Sequence, residues 1–197
     1  MPLKRTKSEL KVQRESLKRY QRYLPTLQLK KQQLQAEVRR VELEREDVGK
    51  EQDRFRRDRQ SWIGLFAEDR PLADWLEVKR VSIGEQHIAG VDVPVLESFE
   101  LAEVCPDRFS EPVWIDDGLR ELKREVELEL SLYLLKEQER LLEQELRTTS
   151  QRVNLFEKIK IPECKENIRI IRIALGDEQV AAVARGKLAK KKNEVAA

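Results

Sequence analysis

The sequence predicts an all-α fold: a long antiparallel two-helix coiled coil with a small β-hairpin-containing insertion between the helices. Three observations carry that expectation. Apolar residues recur with heptad spacing near both ends of the chain. Gly and Pro gather mostly between Gly64 and Gly118. The chain of 197 residues is 39% charged and only 6% aromatic, which suits long solvated helices better than a compact aromatic core.

The first helix is read from Leu3 to Trp62. One heptad series is Leu3, Leu10, Leu17, Leu24, Lys31 and Val38; the other is Tyr20, Leu27, Leu34, Val41, Val48, Phe55 and Trp62. Their offset is the a/d spacing of a coiled-coil seam, and a strict heptad implies a left-handed supercoil. The intervening Lys, Arg, Glu and Gln are good helix formers. A helix of about 60 residues would be roughly 90 Å long, against about 11–12 residues for an average globular helix. Thr6-Lys7-Ser8-Glu9 fits a capping box, yet Leu3 already keeps the heptad, so the start stays open between them. Pro25 falls at a solvent-facing b position with Leu24 and Leu27 in register on either side, which predicts a kink rather than an end. Lys31, Arg45, Gln52 and Arg59 occupy a positions, so the seam turns polar and its packing is expected to weaken.

The central stretch cannot be one long helix, because Pro71, Gly84, Gly90, Pro94, Pro106 and Pro112 interrupt it. Val81-Ser82-Ile83 and His87 to Leu96 are β-rich, and Gly84 to Gly90 is expected to form or flank a hairpin turn. Ala73 to Lys79 is compatible with a helical turn or a strand. Trp62, Trp75 and Trp114 fall near this knob, as a mini-core or as a partner-binding hot spot.

Helical patterning returns at Leu119. A seam follows through Leu128, Leu132, Leu135, Leu142, Leu146, Thr149, Val153 and Phe156. Pro162 is read as a second interruption. Ile161, Cys164, Ile168, Ile171 and Leu175 then share a face, Gly176 is a weak point, and the end is expected to fray from Gly186. The organisation is therefore residues 1–63 as a first helix, 64–118 as a knob, and 119–197 as a second helix with a basic tail.

Charge is uneven along this plan. Lys4 to Lys31 holds ten bases against two acids, whereas Glu121 to Glu145 holds eight acids against four bases. The basic end calls for counter-ions or an acidic sleeve; a solvated, salt-screened surface is the plainer alternative. The net charge of +2 is too small to imply nucleic-acid binding. No apolar run approaches the ~18 residues of a membrane span, and the N-terminus has no apolar h-region, so no direct membrane insertion and no secretory signal are expected. Cys105 and Cys164 are far apart and lack metal-like spacing, which fits a reduced cytosolic chain.

Chemistry-bearing motifs are missing from the sequence. Gly186-Lys187 is followed by Leu188, so no phosphate-binding loop forms there; no GxGxxG and no nucleophile elbow occur. His87 is the sole histidine and reads as an edge-strand surface residue. Cys164 reads as a small seam residue. The sequence thus predicts no catalytic, cofactor-binding or metal-binding residues, and no cofactor. A heptad rod of this kind serves as a shaft or as a structural tether.

Separated segments then carry a resemblance. Thr6-Lys7-Ser8-Glu9-Leu10 and Leu24-Pro25-Thr26-Leu27-Gln28-Leu29-Lys30-Lys31-Gln32-Gln33-Leu34 resemble the N-terminal helix of the D subunit of V-type ATPases and ATP synthases. Ile88-Ala89-Gly90-Val91-Asp92-Val93-Pro94-Val95 is similar to that family's central segment. Arg152-Val153-Asn154-Leu155-Phe156-Glu157, Ile161-Pro162 and Asn167-Ile168-Arg169-Ile170-Ile171 resemble its C-terminal signature, and Leu175-Gly176-Asp177-Glu178 to Lys191 resembles its ending. Gly176 and Phe156 depart from the usual pattern.

The resemblance implies a non-catalytic central rotor stalk, carrying torque between the membrane ion-translocating rotor and the catalytic ATPase ring on the cytoplasmic side of the membrane. Its implied partners are the catalytic and non-catalytic ring subunits, the small F subunit of the stalk and a membrane-rotor adaptor subunit. The seam expected to hold such a shaft is Leu10, Leu17, Leu24, Leu27, Leu34, Val41, Leu132, Leu135, Leu142, Leu146, Val153 and Phe156. The basic end expected to face the ring carries Lys4, Arg5, Lys7, Arg169, Arg185, Lys187 and Lys190. The alternative is a coiled-coil tether or adaptor without a rotary role.

Overall fold

The computed structural model describes residues 3–60, 64, 76–103 and 114–196; of Leu76, Glu77, Ala102, Glu103 and residues 192–196 only the backbone is described. The described chain is mostly helical. Helix α1 runs Lys7–Arg59, strands β1 (Leu76–Ile88) and β2 (Val91–Glu103) form an antiparallel pair, helix α2 runs Ile115–Asn154, a π-helical segment covers Leu155–Lys160, and helix α3 runs Ile161–Ala196. The chain divides into two compact units, one of residues 1–31 with 148–197 and one of residues 32–147.

Thr6 settles where α1 begins. Its Oγ1 accepts the backbone N–H of Glu9 at 3.3 Å and its carbonyl accepts that of Leu10 at 3.0 Å, so Thr6 is the N-cap and Lys7 the first helical residue. Pro25 lies inside α1 and does not end it, as its solvent-facing position predicts. Trp62, Trp75 and Cys105 lie outside the described residues.

In the unit of residues 32–147, the core joins α1, α2 and the hairpin. Leu34, Val38, Val41, Leu135, Leu142 and Val93 are buried in one cluster, with Ile88, Ala89 and Val91 packed against it. The hairpin tip therefore rests on the helices. Its two-residue turn, Ala89-Gly90, has φ of 50° and 81°; positive values at both positions mark a type I′ turn, whose twist matches that of the flanking strands. Period-two alternation then points Val91, Val93 and Val95 to one face. Register shifts sit between Val78 and Arg80 and between Ser82 and Ile83 on β1. At the second, Ser98 and Leu96 take consecutive partners and Glu97 is left as the extra residue of a bulge. Its side chain lies over Gly84, where any Cβ would overlap it. Gly84 is thus a strand residue paired with Val95, well short of the turn, and the strands are longer than the β-rich runs suggest.

The second helical stretch starts at Ile115, four residues before the expected Leu119. Asp116 and Asp117 occupy its first turn, where carboxylates meet the positive end of the helix dipole. Pro162 does not interrupt it. In the unit of residues 1–31 and 148–197, the turns before Pro162 widen, and the N–H of Ile161 donates to the carbonyl of Phe156, five residues back. A wider turn relieves the crowding between a proline ring and the carbonyl four residues earlier, and it absorbs the missing donor. Nor does the chain fray at Gly186: α3 continues through Gly176 and Gly186 to Ala196. Ala181, Ala182, Ala184, Leu188, Ala189 and the lysines are strong helix formers, and they outweigh two glycines costing about 1 kcal/mol each.

Candidate functional site

Three of the four polar a positions, Arg45, Gln52 and Arg59, are paired across the helices. In the unit of residues 32–147, Gln52 is only 6% exposed, and its Nε2 donates to Glu129 Oε2 at 2.7 Å and to Glu125 Oε1 at 3.1 Å. Arg56 Nε donates to the same Glu125 Oε1 at 2.7 Å, and Arg59 pairs with Glu121. Arg124 of α2 reaches back to Glu51, and Arg45 Nε makes an ion pair with Glu139 Oε2 at 3.2 Å. Each step up α1 meets a step down α2, so the two run antiparallel here. The Glu51 carboxylate beside Arg124 raises the guanidinium's pKa by hydrogen bonding, against the cost of burial. Most of these pairs are partly solvated, and each contributes modestly alone. Together they lock axial register, which an apolar seam of interchangeable leucines leaves soft.

Four of the eight acids from Glu121 to Glu145 thus find partners across the helix pair, namely Glu121, Glu125, Glu129 and Glu139, while Glu127 and Glu137 pair with Arg124 and Arg140 of their own helix. Gln138 on α2, a residue the heptad reading passes over, is buried and donates from Nε2 to the carbonyl of Pro94 at 2.7 Å, tying the hairpin to the helix. Leu134, also passed over, is 4% exposed. Both belong to a second buried face of α2, which a single a/d stripe cannot reveal.

In the unit of residues 1–31 and 148–197, packing is thinner. Leu10, Leu17, Leu24, Leu27 and Phe156 are half-buried, while Val153, Cys164, Ile168 and Ile171 are buried. Tyr20 and Phe156 stack at a tilted 5.0 Å between centroids, and Asn167 Nδ2 lies 3.5 Å from Gln13 Oε1. In the other unit, Leu34, Val41, Leu132, Leu135 and Leu142 are buried and Leu146 is half-buried. Thr149 is 1% exposed and its Oγ1 meets no hydrogen-bond partner.

The basic residues divide by whether they are neutralised. Lys4, Arg5, Lys7, Arg185, Lys187 and Lys190 are exposed. Arg169 is already engaged with Glu166 of its own helix at 2.6 Å, and that hydrogen bond holds the Glu166 carboxyl below its usual pKa. Lys160 pairs likewise with Glu163 at 3.0 Å. By contrast Arg14, Lys18, Lys165 and Arg172 line one groove and have no carboxylate partner among the described residues.

Other titratable groups sit in structural roles. His87 is exposed on β1, its Nδ1 lying 2.6 Å from Asp92 Oδ1 across the hairpin. Burial pushes the Cys164 thiol up, as suits a seam residue. Glu42, Glu139 and Glu143 bring carboxylate oxygens within 4.8 Å of one another, with Arg45 beside Glu139. No described helix is long and apolar enough to cross a membrane.

Long helices, a docked antiparallel hairpin and ion pairs between α1 and α2 define a mostly helical protein with a two-stranded hairpin packed on its helices. The family model for the ATP synthase D subunit matches residues 9–191. The chain is 46% identical over 188 residues to the V-type ATP synthase D subunit of Borreliella burgdorferi, covering 95% of this chain and 93% of that one. It is 33% identical over 198 residues to the D subunit of Chlamydia pneumoniae, covering 98% and 94%, and 36% identical over 197 residues to that of Chlamydia trachomatis serovar L2, covering 96% and 95%. The chain belongs to the ATP synthase D-subunit family.

Proposed function

We propose that this chain is the central rotor shaft of a V-type ATPase or ATP synthase. It carries torque between a membrane ion-translocating rotor and a catalytic ATPase ring, on the cytoplasmic side of the membrane. The observation that carries the reading is its similarity along nearly the whole chain to a V-type ATP synthase D subunit, at 46% identity over 95% of the chain. The shaft has no catalytic role of its own; nucleotide chemistry belongs to the ring. Its partners are the catalytic and non-catalytic ring subunits, the small F subunit of the stalk and a membrane-rotor adaptor.

The seam residues hold an antiparallel coiled coil, and the cross-helix pairs supply what torque transmission requires. A shaft under load fails if its helices slide. Sliding α1 by one turn against α2 would displace Gln52, Arg56 and Arg59 from their present pairing with Glu129, Glu125 and Glu121. Catalytic sites that contact different faces of the turning shaft are biased in turn towards open and closed states, because only differential contacts shift such an equilibrium.

The test is capture from a cytosol-plus-membrane extract with the full chain as bait. The reading expects an active ATPase with one bait per ring, and a chain truncated after Gly176 that stays helical but loses assembly or coupling. Recovery of bait oligomers alone, without ATPase, would favour a structural tether and overturn it.

A further inference from the structure

The groove between α1 and α3, in the unit of residues 1–31 and 148–197, has a volume of about 360 Å³. Arg14 and Lys18 stand one helical turn apart on α1, and Lys165 and Arg172 stand two turns apart on α3. All four are exposed, and among the described residues none of their side chains has a hydrogen-bond or ion-pair partner. Neighbouring cations differ: Lys11 has Glu15, Lys160 has Glu163 and Arg169 has Glu166. Between the four lie half-buried Leu17 and buried Ile168. An adjoining hollow shares Lys18 and adds Arg19 and Arg22, with Glu15 as its one acid.

Four like charges around one hollow repel one another in the isolated chain, and their field attracts a complementary anion. The apolar residues between them choose among anions. A phosphate group gains nothing from Leu17 and Ile168. A peptide segment whose carboxylates flank an aliphatic side chain meets both parts of the groove.

We propose that this groove seats an acidic, partly aliphatic segment of the ATPase ring, placing its carboxylates against Arg14, Lys18, Lys165 and Arg172. The proposal rests on the rotor-shaft reading and moves the main ring contact away from self-neutralised Arg169. It makes part of the shaft–ring contact electrostatic, hence sensitive to salt.

The experiment measures association of the full chain with the purified ATPase ring across a range of NaCl concentrations. The variants carry Arg14→Glu, Lys18→Glu, Lys165→Glu and Arg172→Glu together, or the four corresponding changes to Gln. A control reverses Arg54 and Lys136 in the other unit. Circular dichroism checks helix content. The proposal predicts affinity weaker by about tenfold or more for the Glu set, a smaller loss and a shallower salt slope for the Gln set, and no change for the control. If the Glu set fails to fold, the salt slope of the Gln set decides. Wild-type affinity and salt slope in the folded variants would overturn the proposal. So would saturable binding of inorganic phosphate to the isolated chain that the Gln set abolishes, since the occupant would then be a phosphate. Failure of the wild-type chain itself to bind the ring would instead overturn the shaft reading, and the groove assignment with it.

Discussion

Gln52 and Glu129 meet at 2.7 Å across α1 and α2, with the amide donating to the carboxylate from a position that is 6% exposed. The pair turns a weak point of the heptad into a register pin. Gln52→Leu restores an apolar a position, yet it strips a donor from both Glu129 and Glu125. Glu129 is solvated and both carboxylates keep Arg56, so the loss is that of a hydrogen bond from the buried amide to the partly buried Glu125, a bond to a charged group that contributes about 1.5–3 kcal/mol and outweighs the gained burial. Urea unfolding of the Gln52→Leu chain is expected to show a loss of about 1–2 kcal/mol.

Leu142 is fully buried in the cluster with Leu34, Val41 and Val93, whereas Leu24 of the other unit is half-buried. Leu142→Ala removes both transfer energy and filled volume and is expected to cost about 2–5 kcal/mol. Leu24→Ala should cost less than half as much. Thermal melts of the two variants side by side check the ratio.

Thr149 is the opposite case. Its buried hydroxyl has no partner, so an isosteric apolar side chain removes a desolvation cost without leaving a cavity. Thr149→Val is expected to stabilise the chain by about 1 kcal/mol, read as a higher urea midpoint at unchanged slope.

Burial raises the Cys164 pKa, so the folded state holds that proton more tightly than the unfolded chain does. The resulting stability is fully present below the unfolded thiol's pKa and is lost as pH rises through the raised folded value. Unfolding midpoints should therefore lose a Cys164-dependent contribution only above about pH 9, and Cys164→Val should flatten that alkaline fall. Thiol-reagent labelling at neutral pH, in a chain lacking Cys105, should track unfolding.

Much of this was legible in the sequence, for identifiable reasons. Heptad spacing points to a face, and Leu34, Val41, Leu135 and Leu142 lie on it and are buried. Alternation of Val91, Val93 and Val95 with Gly90 at the turn pointed to the hairpin. Spacing does not name partners, so the polar positions Arg45, Gln52 and Arg59 read as weakness until Glu139, Glu125, Glu129 and Glu121 stood opposite them. Nor does a strand pattern say what covers it, so the docking of Val93 and Pro94 on Leu135, Leu142 and Gln138 was hidden. Pro162 read as a break because local rules count the lost hydrogen bond and not the wider turn that accommodates it. The unpaired groove cations were invisible as a set, since Arg14 and Arg172 come together only through the pairing of α1 with α3.

The central claim is that this chain turns inside an ATPase ring. The direct measurement fixes the ring to a surface and attaches a visible probe to the hairpin through Glu85→Cys, in a chain with Cys105 and Cys164 replaced. Shaft function predicts unidirectional stepping of the probe when ATP is added, stopping when ATP is removed. A probe that stays fixed while the same immobilised complexes hydrolyse ATP would contradict it.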